Sequence, residues 1–259
     1  MKTVLITGAC INTGVAIVEK FAHEGYNVIF TGRNIEKVKE KEAEYKQKFA
    51  NVQMIGYPID SLLDERTVDE ASVEKMFADI DSRGLFVETL VLNAADQGLG
   101  QKIFENPLTD FMKVINTNVV WNYCLSEHAA KRMKANGGGN IVFINSNTAY
   151  RAIPDRVAYV ASKGGQLGLV RALALDLGKY NIRVNAVLPG MIKTDRWEKN
   201  PEFYANVPSR FTPIGDVAVG EDIADAVYYF AAHARNTTGA ELVVDGGNTI
   251  QLYPIIPEK

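Results

Sequence analysis

Short apolar runs recur along the chain: "TVLI" (3–6), "NVIFT" (27–31), "VQMIGY" (52–57), "TLVL" (89–92), "NIVFIN" (140–145), "IRVNAVL" (182–188) and "AELVVD" (240–245). They are nearly continuous in Val, Ile and Leu rather than alternating, which suits strands buried on both faces of a parallel sheet. Segments of helical period separate them. In "VAIVEKFAHEG" (15–25), Val15, Val18 and Ala22 share one stripe. Longer helical stretches follow at 111–139, which ends in a glycine stop, at 156–180 and at 221–234. Strand–helix alternation over the whole length predicts an α/β fold. We expect a doubly wound, Rossmann-type parallel sheet of about seven strands, with right-handed crossovers and helices on both faces.

Two segments break this rhythm. "SLLDERTVDEAS" (61–72) is acidic and reads as a surface excursion before a helix. Residues 195–220 are rich in aromatics, Pro and charge, with weak periodicity. A long irregular segment in a compact domain is often functional, so this one is a candidate substrate lid. With no linker or repeat in sight, residues 1–259 read as one domain.

Composition changes the picture mainly by exclusion. Hydrophobic residues make up 47% and charged residues 23%, an ordinary globular balance. The net charge of −3 argues against a nucleic-acid partner. The one basic-rich stretch, 33–48, also carries four glutamates and reads as a solvated helix face with i,i+4 pairs. Cys10 and Cys124 are far apart with no CxxC, so neither a disulfide framework nor a zinc spacing is present and no metal is expected. No signal-peptide pattern and no apolar run of about 18 residues is seen, which points to a cytoplasmic chain without a membrane partner.

The first apolar run ends in "TGACINTG" (7–14). In a doubly wound sheet, ligands sit beyond the carboxyl ends of the strands. Gly8 can supply a tight turn there, and Gly14 can let a helix pack closely. Asn12 stands where such loops usually carry another glycine. Asn tolerates left-handed dihedrals and is also a good N-cap, so it can serve at a helix mouth that faces a pyrophosphate. The second strand ends "IFTGRN", with Arg33 and no acid at its tip. An arginine there favours a 2′-phosphate, so NADP(H) is favoured and NAD(H) remains possible.

"AYVASKGG" (158–165) places Tyr159 and Lys163 four apart, on one helix face. A phenol titrates near 10, and a neighbouring ammonium lowers that value, so the pair is a candidate general acid/base. Ser146 lies thirteen residues upstream at the end of a strand, and Asn118 sits within a helical stretch where Asn is a poor choice.

Together these segments resemble the short-chain dehydrogenases/reductases over nearly the whole chain. "TGACINTG" is similar to the family's TGxxxGxG, departing at Asn12. "LNAAD" (92–96) is similar to NNAG, departing at Leu92 and Ala95. "IRVNAVLPGMIKTD" (182–195) resembles the sixth strand and the PGxxxT turn, and "TTGAELVVDGGNT" (237–249) the final strand. Asn118, Ser146, Tyr159 and Lys163 match the catalytic tetrad. The resemblance implies a role for each residue. Asp60 would contact adenine, and Asn93 and Ala94 would line the adenosine ribose. Pro189, Gly190, Ile192 and Thr194 would hold the nicotinamide. Lys163 would bind the nicotinamide ribose and lower the Tyr159 pKa, while Tyr159 would exchange a proton with the substrate oxygen. Ser146 would hydrogen-bond that oxygen, and Asn118 would hold a relay water.

The implied activity is the interconversion of a secondary alcohol and a ketone, by a homo-oligomer (tetramer or dimer) whose tail, 251–259, clasps a neighbour. The alternative is a catalytically silent nucleotide sensor or scaffold of the same fold. Enoyl reductases on this fold space Tyr and Lys seven apart, which this chain does not, and no GxSxG elbow of a serine hydrolase is present. The expected mouth holds Asp96, Gln97, Asn147, Thr148, Tyr150, Arg156, Met191, Trp197, Phe203 and Tyr204, which do not single out a substrate.

Overall fold

The computed structural model describes residues 1–255; the side chains of Arg196, Glu198 and Phe203 also lie outside the described set. Each apolar run forms a strand: β1 (Thr3–Ile6), β2 (Asn27–Gly32), β3 (Met54–Pro58), β4 (Val87–Leu92), β5 (Gly139–Ile144), β6 (Ile182–Pro189) and β7 (Glu241–Val244). They form one parallel sheet in the order β3-β2-β1-β4-β5-β6-β7. The order reverses between β1 and β4, which opens the crevice where such sheets bind ligands.

The runs are continuous because both faces are covered. Val4, Ile6, Val28 and Phe30 pack beneath α1 (Asn12–His23), α2 (Ile35–Lys48) and α10 (Gly220–Tyr228). Leu5, Ile29, Leu90 and Phe143 face the other layer, α3 (Glu70–Ser82), α5 (Trp121–Ala135) and α6 (Val157–Leu177). Burying each such side chain contributes about 1.5–3 kcal/mol. Polar caps set the starts of α2 and α3. Asn34 Oδ1 accepts from the Lys37 amide at 2.9 Å, and Asp69 Oδ1 accepts from the Ser72 amide at 3.0 Å.

Several boundaries differ from the periodicity. The helical stretch at 111–139 is α4 (Leu108–Ile115), a π-turn over Asn116–Val120, and then α5. The segment at 195–220 is more ordered than its sequence suggests. It folds into α7 (Asp195–Lys199), α8 (Pro201–Tyr204) and α9 (Val207–Phe211). Trp197 stacks on Tyr204 with centroids 4.4 Å apart, so those aromatics pack the segment itself.

Residues 251–255 turn back onto their own chain. Gln251 Nε2 and the Ile255 amide both donate to the Arg210 carbonyl, each at 2.8 Å, and Arg151 donates to the Gln251 carbonyl. Ile250, Leu252 and Tyr253 keep their apolar side chains exposed. Residues 256–259 lie outside the described residues. No helix among the described residues is long and apolar enough to cross a membrane.

Candidate active site

The loop after β1 is stitched to the loop after β4. Thr7 Oγ1 accepts from the amides of Asn93 and Ala94, both at 3.0 Å. Asn93 Nδ2 donates to the carbonyls of Thr7 and Gly8, again at 3.0 Å. The Asn93 side-chain amide thus ties the loop after β4 to the glycine loop. Ala94 lies directly beneath Gly8, where a Cβ on the glycine would come within 2.9 Å of the Ala94 Cα. At Gly14 a Cβ would sit 2.4 Å from the Gly8 carbonyl oxygen, so only glycine lets the first turn of α1 close on the loop.

Asn12 adopts φ 47°, the left-handed conformation that a glycine would take at no cost. It is not the N-cap: that position is Ile11, in extended backbone and without a side-chain cap. Asn12 thus substitutes for glycine through its backbone.

Arg33 and Asp60 sit exposed past β2 and β3, and Asp60 Oδ1 accepts from the Ser61 amide at 2.7 Å. Among the described residues the Arg33 guanidinium has no ion-pair partner, and neither does the ammonium of exposed Lys37. Burial pushes the Cys10 thiol up, and the charges of Lys37 and Lys41 pull it back. Lys37 therefore lies electrostatically close to the glycine loop, a cation that a scan of the loop's own sequence overlooks.

On the opposite rim β6 ends at Pro189. The Gly190 amide donates to the Val244 carbonyl at 3.0 Å, and a Cβ on Gly190 would come within 2.5 Å of the Asp245 Cβ. Ile192 bridges Ala218, and Thr194 precedes α7 as its N-cap residue. Asn12, Thr13, Lys193, Thr194 and Gly220 line one cleft of about 300 Å³ between the glycine loop and the segment after β6.

The four tetrad residues converge beyond β4 and β5. Asn118 lies in the π-turn and is fully buried. Its Oδ1 accepts from the Asp96 amide at 2.8 Å, and its Nδ2 donates to the Asp96 carbonyl at 2.8 Å and to Ser162 Oγ at 2.9 Å. The side chain thus fixes the loop after β4. Ser146 ends β5's extension, and its Oγ accepts from the Thr148 amide at 3.1 Å. A hydrogen bond with Tyr159 directs the same hydroxyl into the site. Tyr159 and Lys163 share one face of α6, with Nζ 5.6 Å from the phenol ring centroid.

Charge at this pair departs from the expectation. Burial pushes the Tyr159 hydroxyl up, opposed by a hydrogen bond with Ser146 and by the Arg156 charge. Burial also pulls Lys163 down to about 7. The Lys163 Nζ donates to the Ile144 carbonyl at 2.8 Å and to Gln166 Oε1 at 3.2 Å.

Gln166 is the residue sequence reasoning missed. Fully buried, it also donates through Nε2 to the Asn118 carbonyl at 2.6 Å, and its Oε1 accepts from Asn145 Nδ2 at 3.1 Å. The Asn118 carbonyl accepts from this Gln166 amide and from Asn122 Nδ2 at 2.9 Å. The available signal was a polar residue three positions after Lys163, on the same stripe as Leu167 and Val170.

Among the mouth residues, Tyr150 is bonded to Glu241, and Asn147 Nδ2 donates to Asn248 Oδ1 at 2.9 Å. Arg156 Nη1 donates to the Gln97 carbonyl at 3.0 Å.

Residues 8–249 match the family described as enoyl-(acyl carrier protein) reductase. A 3alpha-hydroxysteroid dehydrogenase from Mediterraneibacter gnavus is 33% identical over 249 residues, covering 95% of this chain and 96% of that one. An NADP-dependent (R)-specific alcohol dehydrogenase from Lentilactobacillus kefiri is 32% identical over 257 residues, covering 96% and 97%. Among solved structures, a 7 alpha-hydroxysteroid dehydrogenase complexed with NADH and 7-oxo glycochenodeoxycholic acid is similar, with a TM-score of 0.84 and 32% identity over 95% of this chain and 93% of that one. Sheet order, glycine loop, Tyr–Lys helix and these relatives agree: the chain belongs to the short-chain dehydrogenase/reductase family of oxidoreductases.

Proposed function

We propose that this chain interconverts a secondary alcohol and a ketone with NADP(H) as the favoured cofactor and NAD(H) as a possible one. The observation that carries the reading is the convergence of Ser146, Tyr159 and Lys163 at the carboxyl edge of the sheet, beside a loop shaped by Gly8, Asn12 and Gly14. The loop suits a dinucleotide because the unpaired amides of a helix's first turn attract a pyrophosphate. Gly8 and Gly14 would let backbone approach it, and Pro189, Gly190, Ile192 and Thr194 would hold the nicotinamide end. Arg33 and Lys37 favour the 2′-phosphate, being exposed cations without ion-pair partners among the described residues. Asp60 would meet the adenine.

When bound, the nicotinamide supplies or accepts the hydride. Tyr159 gives its phenolic proton to the substrate oxygen in reduction and takes it back in oxidation. Ser146 donates its hydroxyl to that same oxygen, where charge develops. Lys163 would bind the ribose and, once turned toward the phenol, counter the burial that holds the Tyr159 proton. Asn118 positions the loop at Asp96 and, through its carbonyl, Gln166. The segment at 195–220 would cover the substrate. The apolar exposure of Leu108, Phe111 and Val120 along α4 and the π-turn supports a homo-oligomer, a tetramer or dimer.

The test follows nicotinamide absorbance with NADPH or NADH and a diverse panel of ketones and alcohols. Turnover is expected with at least one secondary alcohol or ketone, and Tyr159→Phe should lower it by about 100-fold or more while nucleotide binding persists. Tight nucleotide binding without turnover across the panel overturns the enzyme reading in favour of a sensor.

A further inference from the structure

Outside this site, α3 and α5 bring a second set of reactive side chains together. Cys124 and His128 stand four apart on α5, so they share a face, and Glu70 and Glu74 do the same on α3. A Glu70 carboxylate oxygen, the Cys124 Sγ and a ring nitrogen of His128 all lie within 4.8 Å of one another. His128 is 5% exposed, yet neither ring nitrogen makes a hydrogen bond of acceptable geometry. Glu70 Oε1 lies 3.8 Å from Nε2, and Glu74 Oε2 lies 3.0 Å from Nδ1 but off the line of its N–H. A buried imidazole whose nitrogens make no well-aligned hydrogen bond is costly.

We propose that Cys124, His128 Nε2 and Glu70 bind a borderline-soft divalent cation, zinc being the best match, with Glu74 accepting from Nδ1–H. The donor set is the mixed S, N and O set that zinc takes, and a carboxylate on the far ring nitrogen is the usual way a ligating histidine is oriented. Tetrahedral zinc needs ligand atoms about 3.3–3.6 Å apart, given bonds of about 2.0–2.3 Å. Closing the observed separations to that takes rotation of the Cys124 side chain and of Glu70, whose side chain is 71% exposed. Water would complete the coordination from the open side.

The rest of the helix pair is already anchored. Phe77 stacks on His128 at 5.9 Å, and Arg132 Nη2 meets Asp81 Oδ2 at 2.8 Å further along. Binding breaks the Cys124 S–H bond, forms an S–Zn bond and releases the proton to solvent. The spacing escaped the sequence search because that search looked for paired cysteines, and the third ligand comes from another helix.

The experiment uses the full chain, dialysed against a chelator and titrated with Zn²⁺ in competition with a chromogenic chelator, and separately with Co²⁺. The expected result is a single ion per chain, with a thiolate-to-cobalt charge-transfer band. Cys124→Ser should abolish that band and weaken zinc at least tenfold. Glu70→Gln, an exposed change that leaves packing intact, should weaken zinc about tenfold while keeping the band. Absence of stoichiometric binding, or zinc affinity unchanged in both variants, overturns the proposal.

Discussion

Gln166 holds Lys163 from below: its side-chain carbonyl accepts from the ammonium at 3.2 Å while its amide, fully buried, donates to the Asn118 carbonyl at 2.6 Å. One side chain thereby joins two members of the tetrad. Gln166→Leu should keep the volume roughly and cost about 1–3 kcal/mol of stability through groups left unpaired. A purely structural role ends there. Because the acceptor favours the charged lysine, its loss should also lower the lysine's proton affinity. The limb of the kcat–pH profile that reports Lys163 should then move to lower pH. An unmoved profile alongside a lower melting temperature would assign Gln166 to packing alone.

Asn12 separates backbone need from side-chain need. At φ 47° a residue with a Cβ is strained, and Asn is the side chain that tolerates it best. Asn12→Gly should leave nucleotide affinity and stability within about 0.5 kcal/mol of the parent, whereas Asn12→Ala should cost about 1 kcal/mol in stability. Nucleotide titrations and thermal melts of the two variants provide the check. A large loss of nucleotide affinity in Asn12→Gly would show that the amide itself contacts the ligand.

The seven strands were legible because each lies between two helical layers, and that burial writes an uninterrupted apolar run such as Val4–Leu5–Ile6. The grouping of Asn118, Ser146, Tyr159 and Lys163 was legible through spacing, which survives folding when residues share a helix or end a strand. What escaped was decided by tertiary partners. Nothing local distinguishes an Asn93 amide turned to the Gly8 carbonyl from one turned to a ribose. Gln166 looks like an ordinary helix residue until β5, the π-turn and α6 close around it. The π-turn at Asn116–Val120 obeys helical periodicity closely enough to be hidden within it. Lys37 falls on the far side of β2 from the loop it approaches.

Arg33 and Lys37 make nucleotide preference testable. Replacing either by Ala removes one charge-assisted contact to a 2′-phosphate and should weaken NADPH by about tenfold, or 1.4 kcal/mol, while leaving NADH nearly unchanged. The double variant should bind the two nucleotides comparably. Isothermal titration with both, at fixed ionic strength, measures this. Equal losses for NADPH and NADH would remove the phosphate assignment.

Lys163 links stability to pH in a direction opposite to that of a surface lysine. Its folded value is about 7 against an ordinary 10.5, and burial alone is the cause. Below pH 7 both folded and unfolded chains carry the proton, so the full cost of burying the ammonium weighs on the fold. Between about 7 and 10.5 the unfolded chain binds the extra proton, and stability rises by about 1.4 kcal/mol per pH unit from this group. Above that range neither state is charged and the cost is gone. Lys163→Met keeps the stem and removes the charge. It should therefore be more resistant to urea than the parent near pH 6, by an amount on the order of a few kcal/mol. The gain should shrink steadily as pH approaches 10, and turnover should be lost throughout. Urea midpoints of the two proteins across that range decide the point. A gain that does not depend on pH would mean that the folded and unfolded chains bind the lysine proton equally, so that burial does not lower its affinity.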